Sequence, residues 1–163
     1  MENEIGLPLY TLCVLVDENL PKRVLLGTKR TGFGVGKITG FGGRVEPGET
    51  IKAAALRELW EECAVRVDPV NLYQVGELRF LFPDKPSWSQ LVYLFLSSIW
   101  CDHPQPSDEM YPMWYRFDHL PFDQMWQDGA YWLPPILAGR YVQAEFIFWR
   151  DGESILEVVM NVS

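Results

Sequence analysis

The sequence lacks several features that would assign it to common classes of protein. It has no secretory signal and no apolar run that approaches the ~18 residues of a membrane span, which predicts a soluble cytoplasmic protein. Its three cysteines are scattered and form no Cys-x-x-Cys pair, as expected of free thiols in a reducing compartment. No internal repeat, low-complexity tract or long linker divides residues 1–163, so we expect a single domain.

Basic residues are also scarce, whereas aromatic residues are plentiful. The chain has 14 Lys and Arg against 22 Asp and Glu, and its formal net charge is −8. Proteins that bind nucleic acid stably usually carry a basic surface, so this balance argues against that class. The chain contains nine Phe, seven Trp and seven Tyr, more than a core of this size needs. Some of these rings are therefore expected to line a pocket.

Seven segments have the character of strands. Runs of apolar and β-branched residues between turn residues predict strands at 10–16, 23–27, 73–82, 91–100, 113–117, 144–149 and 154–160. The last two strands flank an Asp151-Gly152 turn and are expected to form a hairpin. Residues 32–43 contain six glycines and are predicted to be a loop.

Two helices are expected among these strands. Thr50 is placed to cap a helix that runs to about Glu62, with apolar residues four apart on its core side. These are Ile51, Ala55 and Leu59. A second helix is expected at 131–138, limited or kinked by its two prolines. Strands mixed with one helix after the glycine-rich loop and another near the end predict an α/β fold, an α/β/α sandwich with a mixed sheet.

The most informative residues are four carboxylates around the first helix, Glu49, Glu58, Glu61 and Glu62. At roughly 100° per residue, the last three share one arc of the helix surface. Like charges three and four residues apart repel by a few tenths of a kcal/mol per pair, so folding alone does not favour this arrangement. A hard divalent cation does, because it binds oxygen ligands and offsets the repulsion. The spacing therefore predicts a magnesium-binding helix.

This stretch resembles the Nudix box, Gly-x5-Glu-x7-Arg-Glu-U-x-Glu-Glu-x-Gly-U, in which U is a bulky aliphatic residue. The matching residues are Gly43, Glu49, Arg57, Glu58, Leu59, Glu61, Glu62 and Val65. One position departs from the pattern, because Ala64 stands where the box has its second glycine. That glycine serves a left-handed exit from the helix, which alanine adopts at a cost of roughly 1–2 kcal/mol.

The similarity extends over nearly the whole chain, to the MutT-like branch of the Nudix family that hydrolyses oxidised purine nucleoside triphosphates (8-oxo-dGTP diphosphatase-like). The supporting segments are 9–12, 23–27, 32–34, 40–43, 107–110, 121–122, 125–126 and 131–132. The resemblance implies a mixed sheet between helices and hydrolysis of a nucleotide to its monophosphate and pyrophosphate. We expect a monomer whose partner is a small-molecule nucleotide, without stable binding to nucleic acid or a membrane.

The resemblance implies a set of metal ligands and catalytic groups. Mg²⁺, for which Mn²⁺ is a possible substitute, is expected to bind the carbonyl of Gly42 and the carboxylates of Glu58, Glu61, Glu62 and Glu109. One of the four glutamates is expected to be the general base, and the sequence does not choose among them. Glu109 also fits an ordinary surface acid. Arg57 and Glu49 are expected to form a bidentate salt bridge that orients the helix.

The resemblance also implies a pocket for the base, in which aromatic faces stack on a purine and a carboxylate accepts from its N–H groups. The implied residues are Thr11, Lys29, Phe33, Phe80, Trp126, Asp128 and Trp132. Core packing explains Phe80 nearly as well as a role in the pocket. A solvated surface position explains Lys29 equally well. At two positions that read the base the chain departs from the branch: Thr39 replaces an asparagine, and Gly129 replaces the second of two aspartates.

These departures leave two other functions open. The first is a Nudix hydrolase with a different base preference, acting on another nucleoside diphosphate-linked substrate such as ADP-ribose, a dinucleoside polyphosphate or capped RNA. A ligand-binding regulator that has lost hydrolysis usually also loses acids of the box, and this chain keeps all of them.

Overall fold

The protein is built around one mixed sheet. A computed structural model describes residues 6–163. The first five residues of the expected 1–163 domain lie outside this description. The strands are β1 (Leu9–Asp17), β2 (Arg23–Lys29), β3 (Ile38–Thr39), β4 (Tyr73–Leu81), β5 (Gln90–Ser97), β6 (Met110–Arg116), β7 (Val142–Phe148) and β8 (Ile155–Val162). The helices are α1 (Ile51–Cys63) and α2 (Gly129–Leu137). Neither helix in residues 6–163 is long and apolar enough to cross a membrane.

The sheet combines parallel and antiparallel pairs. Its strand order is β3-β2-β1-β5-β4-β7-β8, and β6 pairs with β2. The pairs β1–β5 and β4–β7 are parallel, whereas the remaining pairs are antiparallel. The chain thus has the predicted mixed sheet, and the C-terminal hairpin is the antiparallel pair β7–β8.

The two helices cover opposite faces of the sheet, because side chains alternate along each strand. On β1, Cys13 and Leu15 belong to the buried cluster that contains Leu59 of α1. Their neighbour Val14 belongs instead to the cluster that contains Trp132 of α2. This arrangement is the α/β/α sandwich that the sequence predicts.

Several boundaries differ from the prediction. Strand β6 begins at Met110 rather than at residue 113, so Pro112 lies inside it and pairs with Gly27. Among the described strands β6 has β2 as its only neighbour, and an edge strand tolerates a residue that has no N–H to donate. Strand β3 was not expected in the glycine-rich loop, because it depends on pairing between Thr39 and Gly27, which a local pattern does not reveal.

The first helix follows its sequence signals closely. The Thr50 side chain accepts a hydrogen bond from the N–H of Ala53 at 3.1 Å and caps the helix. Ala55 and Leu59 are fully buried. Ala64 ends the helix with φ 59° and ψ 31°, the left-handed conformation expected at the position of the missing glycine. The second helix begins two residues before the predicted 131 and continues through both prolines to Leu137.

The strain at Ala64 leads to a first prediction. Replacing Ala64 by Gly is expected to raise the free energy of unfolding by about 1 kcal/mol, because glycine adopts this conformation without the clash of a Cβ atom. Urea denaturation of both proteins measures the difference. As a matched control, Ala53→Gly within α1 should lower stability by about 0.5–1 kcal/mol. A loss of stability in the Ala64→Gly protein would contradict the prediction.

Candidate active site

A cavity of about 480 Å³ lies beside the carboxyl-terminal part of α1. Its polar wall includes Glu62 together with Gly42 and Gly43, which precede the helix. Its aromatic wall is formed by Tyr10, Phe33, Phe80, Phe82, Trp88, Trp126, Trp132 and Phe148. A smaller depression of about 300 Å³ over β4, β7 and β8 contains none of the predicted site residues. The larger cavity is therefore the candidate active site.

The structure brings all the predicted base-pocket residues to this one cavity. They are Thr11, Lys29, Phe33, Thr39, Phe80, Trp126, Asp128 and Trp132. These residues come from β1, β2, the glycine-rich loop, β3, β4 and the start of α2, and the pairing of the strands gathers them. Gly129 does not line the cavity, and a Cβ atom there would meet the side chain of Met125 at 2.7 Å. Of the two departures from the branch, only Thr39 alters the wall of the cavity.

Glu62 is the predicted acid that reaches into the cavity. It is only 4% exposed, and its Oε1 accepts a hydrogen bond of 2.7 Å from the N–H of Gly42. Burial above all, and then the charges of Glu58 and Glu109, raise the pKa of Glu62 to about 8, although the Gly42 hydrogen bond lowers it. A buried carboxylate beside other carboxylates favours any ligand that supplies positive charge.

Arg57 organises the other acids of the helix. Its Nε donates to Glu49 Oε2 at 2.7 Å and its Nη2 to Glu49 Oε1 at 2.9 Å, which is the expected bidentate salt bridge. Its Nη1 also contacts Glu58 at 2.9 Å and Glu61 at 3.3 Å. The Glu61 side chain is 53% exposed, so it faces solvent more than the cavity. Arg57 thereby connects the loop that carries Glu49 to two acids of α1.

The donor chemistry of the site fits a divalent cation, although the carboxylates do not converge on one point. Within residues 6–163, no three acidic, histidine or cysteine side chains lie close enough together to hold a metal ion. Arg57 holds Glu58 and Glu61, whereas the Gly42 N–H holds Glu62. The available donors are nevertheless oxygens, as Mg²⁺ requires. Burial, and to a lesser degree the charges of Glu61 and Glu109, raises the pKa of Glu58, as expected of acids that crowd together.

The predicted metal-site residues therefore remain a prediction. Glu109 is exposed in the loop before β6, and its main-chain carbonyl accepts from the N–H of Arg30 at 2.8 Å. It lies near enough to Glu58 and Glu62 for its charge to raise the pKa of both. The side chains of Glu58, Glu62 and Glu109 would have to rotate before they could bind one cation together with Glu61 and the Gly42 carbonyl.

The polar groups of the base pocket are buried. Asp128 is 8% exposed, and its Oδ2 accepts from Trp132 Nε1 at 2.8 Å, so the indole orients the carboxylate. Thr11 is 2% exposed, and its hydroxyl has no hydrogen-bond partner within residues 6–163. A buried polar atom without a partner costs roughly 1–3 kcal/mol, so a ligand that satisfies it gains affinity.

The aromatic wall is shared between ligand-accessible and core rings. Phe33 is 58% exposed and stacks on Trp126, with centroids 5.4 Å apart and an interplanar angle of 13°. Phe80 stacks on the buried Phe146, so it serves the core as well as the cavity. Sequence reasoning missed Trp88, which lies in a short 3-10 turn after β4. An isolated Trp between Pro-Ser and Ser, outside any strand, was the signal that could have revealed it.

Burial of Asp128 predicts a pH-dependent stability. Burial raises the pKa of Asp128 from 3.8 to about 6, although the Trp132 hydrogen bond lowers it. The native state therefore binds the proton more tightly, and this contribution to stability is lost as the pH rises from about 4 to about 6. Asp128→Asn keeps an acceptor for Trp132 and removes the titration. It should gain on the order of 2–3 kcal/mol relative to the wild type at pH 7.5, and nothing below pH 4.

Chemical denaturation between pH 3.5 and pH 8 measures this difference. The exposed Asp123, in the same segment, provides the matched control, and Asp123→Asn should follow the wild type at every pH. Parallel stability curves for Asp128→Asn and the wild type would show that the buried carboxyl does not titrate in this range.

Comparison with known proteins defines the class to which this geometry belongs. A profile of the NUDIX domain matches residues 6–135, which extend from before β1 into α2. The chain therefore belongs to the Nudix family and is a hydrolase. Hydrolases of this family use a divalent metal ion and act on small nucleotide substrates.

Two vertebrate proteins are similar to the chain over most of their length. A Mus musculus protein named oxidized purine nucleoside triphosphate hydrolase is 40% identical over 148 residues, 91% of this chain and 90% of that protein. A Danio rerio protein of the same name is 42% identical over 140 residues, 86% of each. A MutT protein structure from Bacillus halodurans has a TM-score of 0.78 at 22% identity and covers 95% of this chain and 98% of its own. This structural similarity confirms the predicted Nudix fold.

Proposed function

We propose that the protein hydrolyses oxidised purine nucleoside triphosphates to the monophosphate and pyrophosphate, and so removes damaged nucleotides from the cellular pool. The observation that carries this proposal is the single cavity, which joins the buried acid Glu62 to eight residues of the implied base pocket. The names of the mouse and zebrafish relatives support the same substrate. We further propose Mg²⁺ as the metal, with Gly42, Glu58, Glu61, Glu62 and Glu109 as its ligands.

The residues of the chain have separate tasks in this reaction. Bound Mg²⁺ would polarise phosphoryl oxygens and lower the pKa of a bound water. Lys29 lines the cavity near enough to Glu62 for its charge to lower the pKa of that acid, so it supplies positive charge to the wall. Trp126 offers a face on which a purine stacks, and Asp128 offers a carboxyl for its N–H groups. Water adds at phosphorus as the bond to the pyrophosphate leaving group breaks.

One observation favours a second candidate, a Nudix hydrolase with a different base preference. Thr39 lines the cavity, and its single hydroxyl replaces the donor and acceptor of an amide. Loss of one hydrogen bond to the base would cost about 1–3 kcal/mol of discrimination. Undamaged purine nucleotides, ADP-ribose or dinucleoside polyphosphates then become possible substrates.

A comparison of kcat/KM across these substrates tests the proposal. We expect 8-oxo-dGTP or another oxidised purine triphosphate to exceed each unmodified nucleotide and ADP-ribose by about tenfold or more, with pyrophosphate as product. A higher value for ADP-ribose or an undamaged nucleotide would favour the second candidate. Tight nucleotide binding without any Mg²⁺-dependent hydrolysis would favour a regulator instead.

We also propose that the protein acts as a monomeric single domain in the cytoplasm. All eight strands of the described residues belong to one sheet, which supports a single domain. Cys13, Cys63 and Cys101 are free thiols, which supports a reducing compartment. Light scattering of the purified protein measures its oligomeric state.

A further inference from the structure

We propose that Trp88 closes the aromatic part of the cavity and sets an upper limit on the size of the base that the enzyme accepts. This inference rests on the proposed function, because it assigns a specificity-determining residue to the same site. Trp88 belongs neither to the acidic helix nor to the residues that the sequence implies for the base. It was found only through its contacts.

The indole of Trp88 forms part of the cavity wall from a segment between β4 and β5. The segment is a 3-10 turn at Pro86–Trp88. The ring lies edge-on to Phe33, with centroids 4.8 Å apart and an interplanar angle of 64°. It also meets Phe82 at 5.7 Å. Immediately after it, the Ser89 hydroxyl accepts from the N–H of Phe82 at 3.0 Å, which ties the turn to the end of β4.

The opposite side of Trp88 is supported by the turn between β7 and β8. A Cβ atom at Gly152 would lie 2.8 Å from Cζ3 of Trp88, so the indole packs directly against this backbone. Gly152 is buried and has a φ of +71°, and Asp151 fixes the turn by accepting from the N–H groups of Glu153 and Ser154. The ammonium of Lys85 lies 4.0 Å over the indole ring.

Trp88 is therefore held between Phe33 of the glycine-rich loop and a turn more than sixty residues further along the chain. It has no room to withdraw from the cavity, since backbone lies behind it. A purine with small oxo or amino groups can stack against the aromatic wall. A base that carries a bulky substituent towards Trp88 would collide with a ring that has backbone packed behind it, and we infer that such bases are excluded.

The experiment compares a guanine nucleoside triphosphate with its N2-benzyl derivative, and an adenine nucleoside triphosphate with its N6-benzyl derivative. The wild type should disfavour both derivatives in kcat/KM. In Trp88→Ala, the relative kcat/KM of at least one derivative should rise by about tenfold or more, mainly through KM. Trp88→Leu, which keeps an apolar side chain for folding, should show the same direction, whereas Trp88→Phe should retain most of the discrimination. Thermal melting accompanies every variant.

Trp149→Ala is the matched control, because Trp149 is exposed in the β7–β8 hairpin that supports Trp88 and does not line the cavity. It should leave the discrimination unchanged. An unchanged ratio in both Trp88→Ala and Trp88→Leu would overturn the inference, even if both variants melt at lower temperature, because a purely structural role affects stability without affecting the ratio.

Binding measurements separate this inference from the proposed function. Dissociation constants for non-hydrolysable triphosphate analogues, with and without the benzyl groups, give the same size ratio without catalysis. A ratio that shifts in the Trp88 variants supports the inference even if no oxidised purine triphosphate is hydrolysed, in which case only the proposed function fails. If no nucleotide binds, both are wrong.

Gly152→Ala tests the packing of Trp88 from the side of the β7–β8 turn. The added methyl group would push Trp88 towards the cavity, so affinity for the unsubstituted nucleotide should fall about threefold or more, the opposite direction from a widened pocket. Gly139→Ala is its control, because Gly139 has a φ of +81° and open space around the position of a Cβ atom. Equal affinities in the two glycine variants would count against the packing of Trp88 between Phe33 and Gly152.

Discussion

Replacing Glu62 by Gln is expected to lower kcat by about 100-fold or more while the protein stays folded. Glutamine has nearly the same shape and keeps an oxygen that can accept from the Gly42 N–H, which the carboxylate does now at 2.7 Å. It removes the carboxylate charge that Glu62 would contribute to a bound cation. Because the reaction displaces at a phosphate whose charge a cation must offset, loss of this charge acts on the chemical step more than on stability.

Steady-state kinetics with saturating Mg²⁺ and a thermal melt check this expectation. Glu46→Gln is the matched control, since Glu46 also lies beside Arg57, at 3.9 Å, but is 65% exposed and outside the cavity. Its kcat should stay near that of the wild type. Glu61→Gln is expected to lower kcat by a similar factor if Glu61 turns from Arg57 to the metal. Near-normal turnover in both the Glu61 and the Glu62 variant would defeat the proposed chemistry.

Replacing Gly42 by Ala is expected to destabilise the protein by about 3 kcal/mol or more. A Cβ atom at residue 42 would overlap the carbonyl oxygen of Thr11 and lie 3.0 Å from the Cα of Leu12. Both contacts are with the backbone of β1 in the centre of the sheet, so neither can yield by a change of rotamer. The strand, the hydrogen bond to Glu62 and the cavity wall would all have to shift.

Urea denaturation with Gly48→Ala as control tests this prediction. Gly48 has a φ of +82° and open space around the position of a Cβ atom, so its replacement should cost only about 1–2 kcal/mol of backbone strain. If Gly42→Ala were no less stable than Gly48→Ala, the close approach of residues 40–43 to β1 would be wrong. The comparison isolates steric overlap from the general effect of removing a glycine.

Elements whose signals are local could be predicted from the sequence. The Thr50 cap, the buried Ala55 and Leu59, and the left-handed exit at Ala64 all depend on interactions within a few residues. The salt bridge joins Glu49, just before the helix cap, to Arg57 in the second turn of α1, and it was predicted for the same reason. The mixed sheet and both helices were confirmed in type, with boundaries displaced by a few residues.

Features that depend on distant segments were not predictable in the same way. Strand β3 exists because Thr39 pairs with Gly27, and Pro112 fits inside β6 because that strand lies at an edge. Trp88 acquires its place from Phe33 and Gly152, each dozens of residues away. None of these contacts leaves a periodic pattern in the surrounding sequence, since each depends on how the sheet is ordered.

The family, the acidic helix and the residue types that a nucleotide pocket needs could be predicted from the sequence alone, because they are encoded in spacing along one segment and in short matching segments. Which acid is buried in the cavity became clear from the folded chain, since Glu61 and Glu62 are neighbours in sequence but differ in the face of α1 that they occupy. The folded chain decided other features of the site as well. It also decided that Asp128 is held by Trp132 and that Gly129 lies outside the cavity. Burial and neighbouring charge depend on the packing of helices against both faces of a sheet, and that packing is a property of the whole chain.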